Sequence, residues 1–238
     1  MKVLVFQHEP REHPGRITGY AQNNNIKLDV IEFWKPYSIP SVLDYDALII
    51  MGGSTHVYDD SSKYPSKENE LRVIREGAGK ISMIGFCLGA ELLAAALGAN
   101  VHPNGKNGKI VKEIGYSKID LTNEGKQSPI FNGFNSPIEV LELHGDAFDL
   151  PENATLLATS PLCTNQVFSY KNIYGFICHF EITSEMLADL IENHREWLHK
   201  DNELNEAKFL QQAQEKTELM NQQSERLLQN FFGTIQEK

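Results

Sequence analysis

Short apolar runs alternate with stretches of helical periodicity along the first part of this chain. Residues 2–7 form an apolar run of strand length, and the polar segment 8–16, with Pro10, Pro14 and Gly15, reads as the loop behind it. The pattern predicts a helix over 17–24, strands over 28–33 and 47–51, and a helix over 66–77, where Leu71 and Ile74 lie opposite the charges. Gly52-Gly53-Ser54 ends the third strand abruptly. A further apolar run enters Gly85-Phe86-Cys87-Leu88-Gly89, and an alanine- and leucine-rich helix over 90–97 follows, closed by Gly98. Strands alternating with helices at this spacing imply an α/β fold: a twisted, mostly parallel sheet flanked by helices.

Between residues 101 and 143 the texture changes. Strands are predicted over 109–114, 117–121 and 138–143, with Gly, Asn and Pro between them, which implies a small antiparallel section. Strands over 154–160, 166–170 and 174–180 and a helix over 183–197 complete a domain of residues 1–200. In the remainder, 201–238, Leu210, Ala213, Thr217, Met220, Ser224, Leu227 and Phe231 fall three and four apart. That is a helical stripe, read as a C-terminal helix packed on the domain, with a dimerisation helix or other partner contact as the alternative.

Composition narrows the partners. The 238-residue chain carries a net charge of −10 and no basic run, which argues against a nucleic-acid surface or an anionic membrane. The N-terminal run turns polar too soon for a signal peptide, and no apolar stretch is long enough to span a bilayer. The three cysteines, Cys87, Cys163 and Cys178, lack metal-type spacing, and their odd count fits a cytoplasmic setting. No metal and no other cofactor is expected.

The candidate chemistry centres on Cys87. A small-residue turn holding one nucleophilic side chain between strand and helix is the geometry of a nucleophile elbow, and the helix N-terminus favours a thiolate there. The competing reading of a free cysteine is a small buried hydrophobe. Along an extended segment His179 and Glu181 face the same side, so the carboxylate can orient the imidazole while its other nitrogen faces a thiol. Cys178, between them and the strand, turns to the core. The Leu88 amide and the Gly52-Gly53 pair are the candidate oxyanion donors.

These residues resemble the class I glutamine amidotransferase domain, in its free-standing, GMP-synthase-like branch. Gly85 through Ala90 is similar to the nucleophile segment of that family. Met51-Gly52-Gly53 with Val57-Tyr58-Asp59-Asp60 resembles its oxyanion loop. His144-Gly145-Asp146, Asn165-Gln166 and Gly175 through Glu181 resemble its later motifs. The resemblance implies a Cys87–His179–Glu181 triad that cleaves a γ-glutamyl amide through a thioester and releases ammonia or an amine. It also implies substrate contacts from His144, Asn165 and Gln166. A separate synthetase would take the ammonia, or the chain would be a stand-alone γ-glutamyl peptide or conjugate hydrolase. A catalytically silent, partner-binding subunit is a third reading, and a homodimer stays open. The sequence departs from the family at Glu91, where glutamine is usual. One helical turn past Cys87, an acid there either faces the pocket and selects substrate or only complements the helix terminus.

Overall fold

A computed structural model describes residues 1–106, 109–200 and 203–235; residues 201, 202 and 236–238 of the predicted C-terminal segment lie outside the described residues. The first part alternates as predicted: β1 (Lys2–Gln7), α1 (Arg16–Asn23), β2 (Lys27–Glu32), β3 (Ala47–Ile50), α2 (Lys67–Gly77), β4 (Ser82–Phe86) and α3 (Leu88–Ala96). β1 pairs in parallel with β2 on one side and β3 on the other, and β3 with β4. Val3 through Phe6 and Ala47 through Ile50 are wholly buried, as strands covered by helices on both faces must be.

The second part runs through β5 (Val101–Pro103), β6 (Gly105–Lys106), β7 (Lys109–Ile110), β8 (Glu113–Leu121), α4 (Asn123–Gln127), β9 (Ile138–His144), β10 (Asp146–Phe148), β11 (Thr155–Thr159), β12 (Val167–Tyr170) and β13 (Ile173–Phe176). β13 slots in parallel beside β4, and the same sheet continues antiparallel, giving the order β2-β1-β3-β4-β13-β12-β11-β8-β9. The antiparallel section is therefore the far half of one sheet, with β5–β10 and β6–β7 paired apart from it.

Three predicted elements differ. The strands 109–114 and 117–121 are replaced by the short β7 and one long β8, because Gly115 keeps its place in the β8–β9 ladder opposite Glu142. The strand 174–180 ends at Phe176; beyond it the Ile177 N–H bonds to Gln166 and the His179 N–H to Leu141, drawing the chain across toward β9. The helix 183–197 divides into α5 (Ser184–Asn193) and α6 (Arg195–His199), and the C-terminal stripe into α7 (Glu206–Glu215) and α8 (Thr217–Gly233). α8 buries Leu227, Leu228, Phe231 and Phe232 in the same core as Phe131, Tyr174 and Phe176. Asn230 fastens it by donating to Ile130 O at 2.9 Å and Asn132 O at 2.8 Å. No helix among the described residues is long and apolar enough to cross a membrane.

The chain reverses direction across the sheet between β1 and β3, and the loops leaving those two strands part there. A cleft at the carboxyl ends of the strands follows, the usual ligand position in an open α/β sheet. α3 enters this edge unusually close. A methyl at Gly89 would run into the Ile50 carbonyl, whereas one at Gly19, inside α1, meets nothing within 4 Å. Gly89→Ala is expected to destabilise the protein by about 1–3 kcal/mol or more through overpacking. Gly19→Ala is expected to stabilise it by about 0.5–1 kcal/mol through helix propensity. Urea denaturation of both variants checks the pair, and equal effects would contradict the close approach.

Candidate active site

Cys87 stands between β4 and α3 with φ 49° and ψ −113°, a conformation that a residue with a side chain rarely adopts. The register of β4 with β13 pairs Phe86 with Phe176, and the Cys87 N–H continues that ladder by bonding to the Phe176 carbonyl at 2.8 Å. Its Sγ lies 3.9 Å from the Leu143 carbonyl, to which the thiol donates. The expected thiolate is corrected here. Burial pushes the thiol well above its usual range, Glu91 and Glu12 add to this once they ionise, and the Leu88 N–H only partly opposes the rise. Cys87 rests as a thiol.

His179 and Glu181 come together despite the early end of β13. His179 Nδ1 lies 2.7 Å from Glu181 Oε1, and the other carboxylate oxygen accepts from the Phe180 N–H at 3.0 Å, which fixes the acid. The bond at Nδ1 leaves Nε2 free, and that buried atom has no hydrogen-bond partner among the described residues. Burial acts to lower the imidazole's pKa, but the charge and hydrogen bond of Glu181, with Glu12 and Glu142, together outweigh it and the net shift is upward. Cys178 is wholly buried in the core, as expected, although it lies beyond the end of β13 and not on a strand.

A cavity of about 490 Å³ opens over Cys87, with Gly53, Glu12, Glu91 and Asp146 in its wall and Trp197 among its outer lining. Gly52 approaches the site from the end of β3: a methyl there would collide with Glu12 Oε2 and lie 3.6 Å from His179 Cε1. Glu91 does face the cavity, although only 3% of it is exposed. Burial first and Asp146 next push its carboxyl to about 8, with His144 and His56 opposing. Near neutral pH it is therefore mostly an uncharged acid, closer in behaviour to the glutamine usual in the family than its identity suggested. Asp146 is held from the rim by His56 Nδ1 at 2.5 Å and by the Tyr58 hydroxyl, which donates at 3.0 Å.

The other predicted contacts divide. His144 sits in the cavity wall with its ring buried, Nδ1 on the Asp146 carbonyl at 2.9 Å. Its Nε2 lies 3.3 Å from Glu113 Oε2 and 3.2 Å from Glu142 Oε2, so the two acids hold the imidazole charged and raise it to about 10. Asn165 and Gln166 do not line the cavity. Asn165 Nδ2 donates to the Phe148 carbonyl at 2.8 Å, and the fully buried Gln166 donates to Glu113 Oε2 at 3.0 Å. Gln166 is drawn inward because Glu113, itself buried, needs donors. Among the described residues, Glu113, His144 and Cys163 place ligand-type atoms within 4.8 Å of one another and form a group that could hold a metal. Glu113 already takes Ser160 Oγ at 2.9 Å and Gln166 on its two oxygens, so internal bonds use the donor set.

Sequence reasoning missed Glu12, which lies in the loop after β1 and reaches Gly52 and His179 only through the fold. Burial raises its carboxyl to about 8, opposed by His179 and aided by Glu9 and Glu181. It also missed His8, which faces Gly52. Its position directly after β1, at the carboxyl edge of the sheet, was the available signal.

A covered α/β sheet with cysteine at a strained strand-to-helix turn, near a histidine–carboxylate pair, defines a protein of nucleophile-elbow architecture. Residues 16–197 match the family described as Glutamine amidotransferase class-I, and the chain belongs to that family. Over 203 residues it is 32% identical to YfeJ of Salmonella typhimurium, a protein named glutamine amidotransferase-like, and covers 83% of each chain. It is 26% identical over 168 residues to the glutamine-hydrolyzing GMP synthase of Borreliella burgdorferi, of whose length it spans 30%. A crystal structure of a glutamine amidotransferase from Thermotoga maritima superposes with a TM-score of 0.85 at 27% identity, over 97% of each chain.

The buried acid has a consequence for stability. The folded chain keeps the Glu91 proton from its ordinary value near 4.5 up to about 8, so stability falls as pH rises through that window. Glu91→Gln lacks this loss. Relative to wild type, it is expected to gain on the order of 2–4 kcal/mol between pH 5 and pH 8.5. Urea titrations at the two pH values measure the gain, and a pH-independent difference would show that Glu91 titrates normally.

Proposed function

We propose that this chain hydrolyses a γ-glutamyl amide through a thioester on Cys87. The observation that carries this reading is the strained Cys87 at the cavity floor, combined with the buried His179 whose Nδ1 is taken by Glu181 at 2.7 Å and whose Nε2 is free. His179 Nε2 takes the thiol proton, and the sulfur forms a bond to the amide carbon while the carbonyl π pair moves to oxygen. The Leu88 and Gly53 N–H groups receive that oxyanion. The intermediate collapses, the C–N bond breaks, and His179 returns its proton to the departing ammonia or amine. Water, deprotonated by His179, then adds to the thioester, and breaking the C–S bond frees glutamate and restores the thiol. Glu181 holds the imidazole in the required tautomer throughout.

For the acyl donor, free glutamine and a γ-glutamyl peptide or conjugate differ in the leaving group. The conjugate is favoured by the size of the cavity, about 490 Å³, and by the Trp197 and Ile110 side chains in its outer part. Ammonia needs no such room. With glutamine as donor, the GMP-synthase relatives suggest a synthetase partner that takes the ammonia.

Release of ammonia from L-glutamine, and of amine from a panel of γ-glutamyl peptides, tests the reading. Cys87→Ala is expected to fall to background, and Glu181→Gln to lose about 10²–10⁴-fold in kcat. Wild-type kcat/KM is expected to fall as pH rises past about 8, where Glu91 ionises beside the substrate, while Glu91→Gln falls less steeply there, with Glu12 still ionising. Turnover that survives Cys87→Ala would end the thioester reading.

A further inference from the structure

His8 is the first residue past β1, and its ring is almost wholly buried, with 6% of the side chain exposed. It stacks on Phe33 at 5.5 Å between centroids and meets Tyr64 edge-on at 6.0 Å. Nδ1 lies 3.0 Å from the Gly52 carbonyl oxygen. A carbonyl only accepts, so Nδ1 carries a proton. Nε2 lies 2.8 Å from Glu70 Oε2, an oxygen that also accepts from the Tyr64 hydroxyl at 3.3 Å. Glu70 is fully buried, and a second proton must lie between it and His8 for the pair to meet at that distance. The arrangement is an imidazolium held by a buried carboxylate and pressed onto one backbone oxygen.

That oxygen belongs to the peptide whose N–H is Gly53. The two groups of a planar trans peptide point in opposite directions, so fixing the Gly52 oxygen on His8 turns the Gly53 N–H away from His8, to the cavity side. The Gly53 N–H makes no hydrogen bond to any described residue, and Gly53 borders the same cavity as Cys87. Packing leaves little room for a side chain on either side of this peptide. A methyl on Gly52 would strike Glu12, and one on Gly53 would lie 2.8 Å from Leu88 Cδ2 and 3.0 Å from His8 Cβ. Two glycines leave the peptide without a rotational preference of its own, so a side chain must supply it.

We propose that His8, held by Glu70, is a positioning residue that latches the Gly52 carbonyl and keeps the Gly53 N–H aimed at the oxyanion formed on Cys87. It rests on the acyl-transfer reading of the Cys87 site. His8 exchanges no proton with substrate. Its positive charge on the carbonyl polarises the peptide and strengthens the N–H as a donor when the carbonyl π pair of the substrate moves to oxygen.

The test compares wild type with His8→Asn, whose amide N–H reaches the place of Nδ1, with Glu70→Gln, and with His8→Phe made together with Glu70→Gln. The last keeps the ring stacking and leaves no unpaired carboxylate. Three readouts are needed: crystal structures of the 52–53 peptide, kcat and KM on a γ-glutamyl amide, and the rate at which iodoacetamide alkylates Cys87. Alkylation is a direct displacement with no oxyanion. The Phe-containing variant is expected to show a turned Gly52 carbonyl and to lose about 10²-fold in kcat, with KM and alkylation within about 3-fold of wild type. Glu70→Gln is expected to lose about 3–10-fold, and His8→Asn to stay within about 10-fold of wild type. An unmoved peptide with unchanged kcat overturns the latch, as does a parallel loss of alkylation and turnover, which would mark His8 as a fold residue only. If wild type cleaves no γ-glutamyl amide, the acyl-transfer reading fails, and the peptide orientation in the Phe-containing variant alone decides whether His8 holds Gly52.

Discussion

The contact between Gly89 and the Ile50 carbonyl places the rest of the site. It lets the first turn of α3 lie directly against β3, and Gly85, where a methyl would lie 2.5 Å from Gly89, removes the last obstacle beneath it. A chain that leaves β4 and must start a helix this close has to turn within one residue. Cys87 takes that turn at φ 49°, a cost of about 1–3 kcal/mol that persists only because the packing around it admits no other path. The same contact brings the Leu88 side chain against Gly53. One packing event thus turns the chain at Cys87 and brings the two segments that carry the proposed oxyanion amides together.

Around that elbow the structure repeats one device. His8, His179 and His144 are each buried and paired with carboxylates through one ring nitrogen, and in each the other nitrogen faces something different. For His8 it is the Gly52 carbonyl, for His144 the Asp146 carbonyl, and for His179 an open position. Buried ion pairs of this kind contribute little net stability, since desolvation consumes most of the Coulombic gain. What they supply is direction: a carboxylate on one nitrogen fixes which atom the other presents, and to what. Two of the three rings are turned on backbone carbonyls beside the cavity, so they hold its wall, and only His179 keeps a nitrogen for proton transfer.

The parallel half of the fold was legible because its central strands are covered on both faces and read as continuous apolar runs, with Gly52-Gly53 marking the end of β3 and Gly98 the end of the helix after Cys87. Cys87, His179 and Glu181 were legible because strand-to-helix spacing and a two-residue offset are local signals. The break of β13 at Phe176 was not, since it comes from backbone bonds to Gln166 and Leu141, at some distance in the chain. His179 and Glu181 nonetheless meet, through a side-chain bond that does not require an extended strand. Gln166 was read toward the cavity from its neighbourhood in the motif, and it turns inward because a buried Glu113 competes for it. Glu70 lies 62 residues from His8, and no periodicity links them. The protonation of Glu91 was also illegible, because it is set by burial, and identity alone reads as charge.

The acids around Cys87 argue for a particular order of events. A cysteine at a helix N-terminus would ionise early if nothing opposed it. Here burial keeps the proton on sulfur, and the thiol rests on the Leu143 carbonyl. In the proposed acyl transfer the thiolate forms only when the proton has somewhere to go, and His179 Nε2, buried and without a partner among the described residues, is the proposed acceptor. The charge and hydrogen bond of Glu181 raise the affinity of that imidazole for a proton, although burial depresses it. Protonated Glu12 and Glu91 add no negative charge where the oxyanion develops. An acid-rich wall is compatible with an oxyanion only on that condition, so the pressure that raises the two carboxyls to about 8 is the same one that lets this cavity hold both them and a reacting carbonyl.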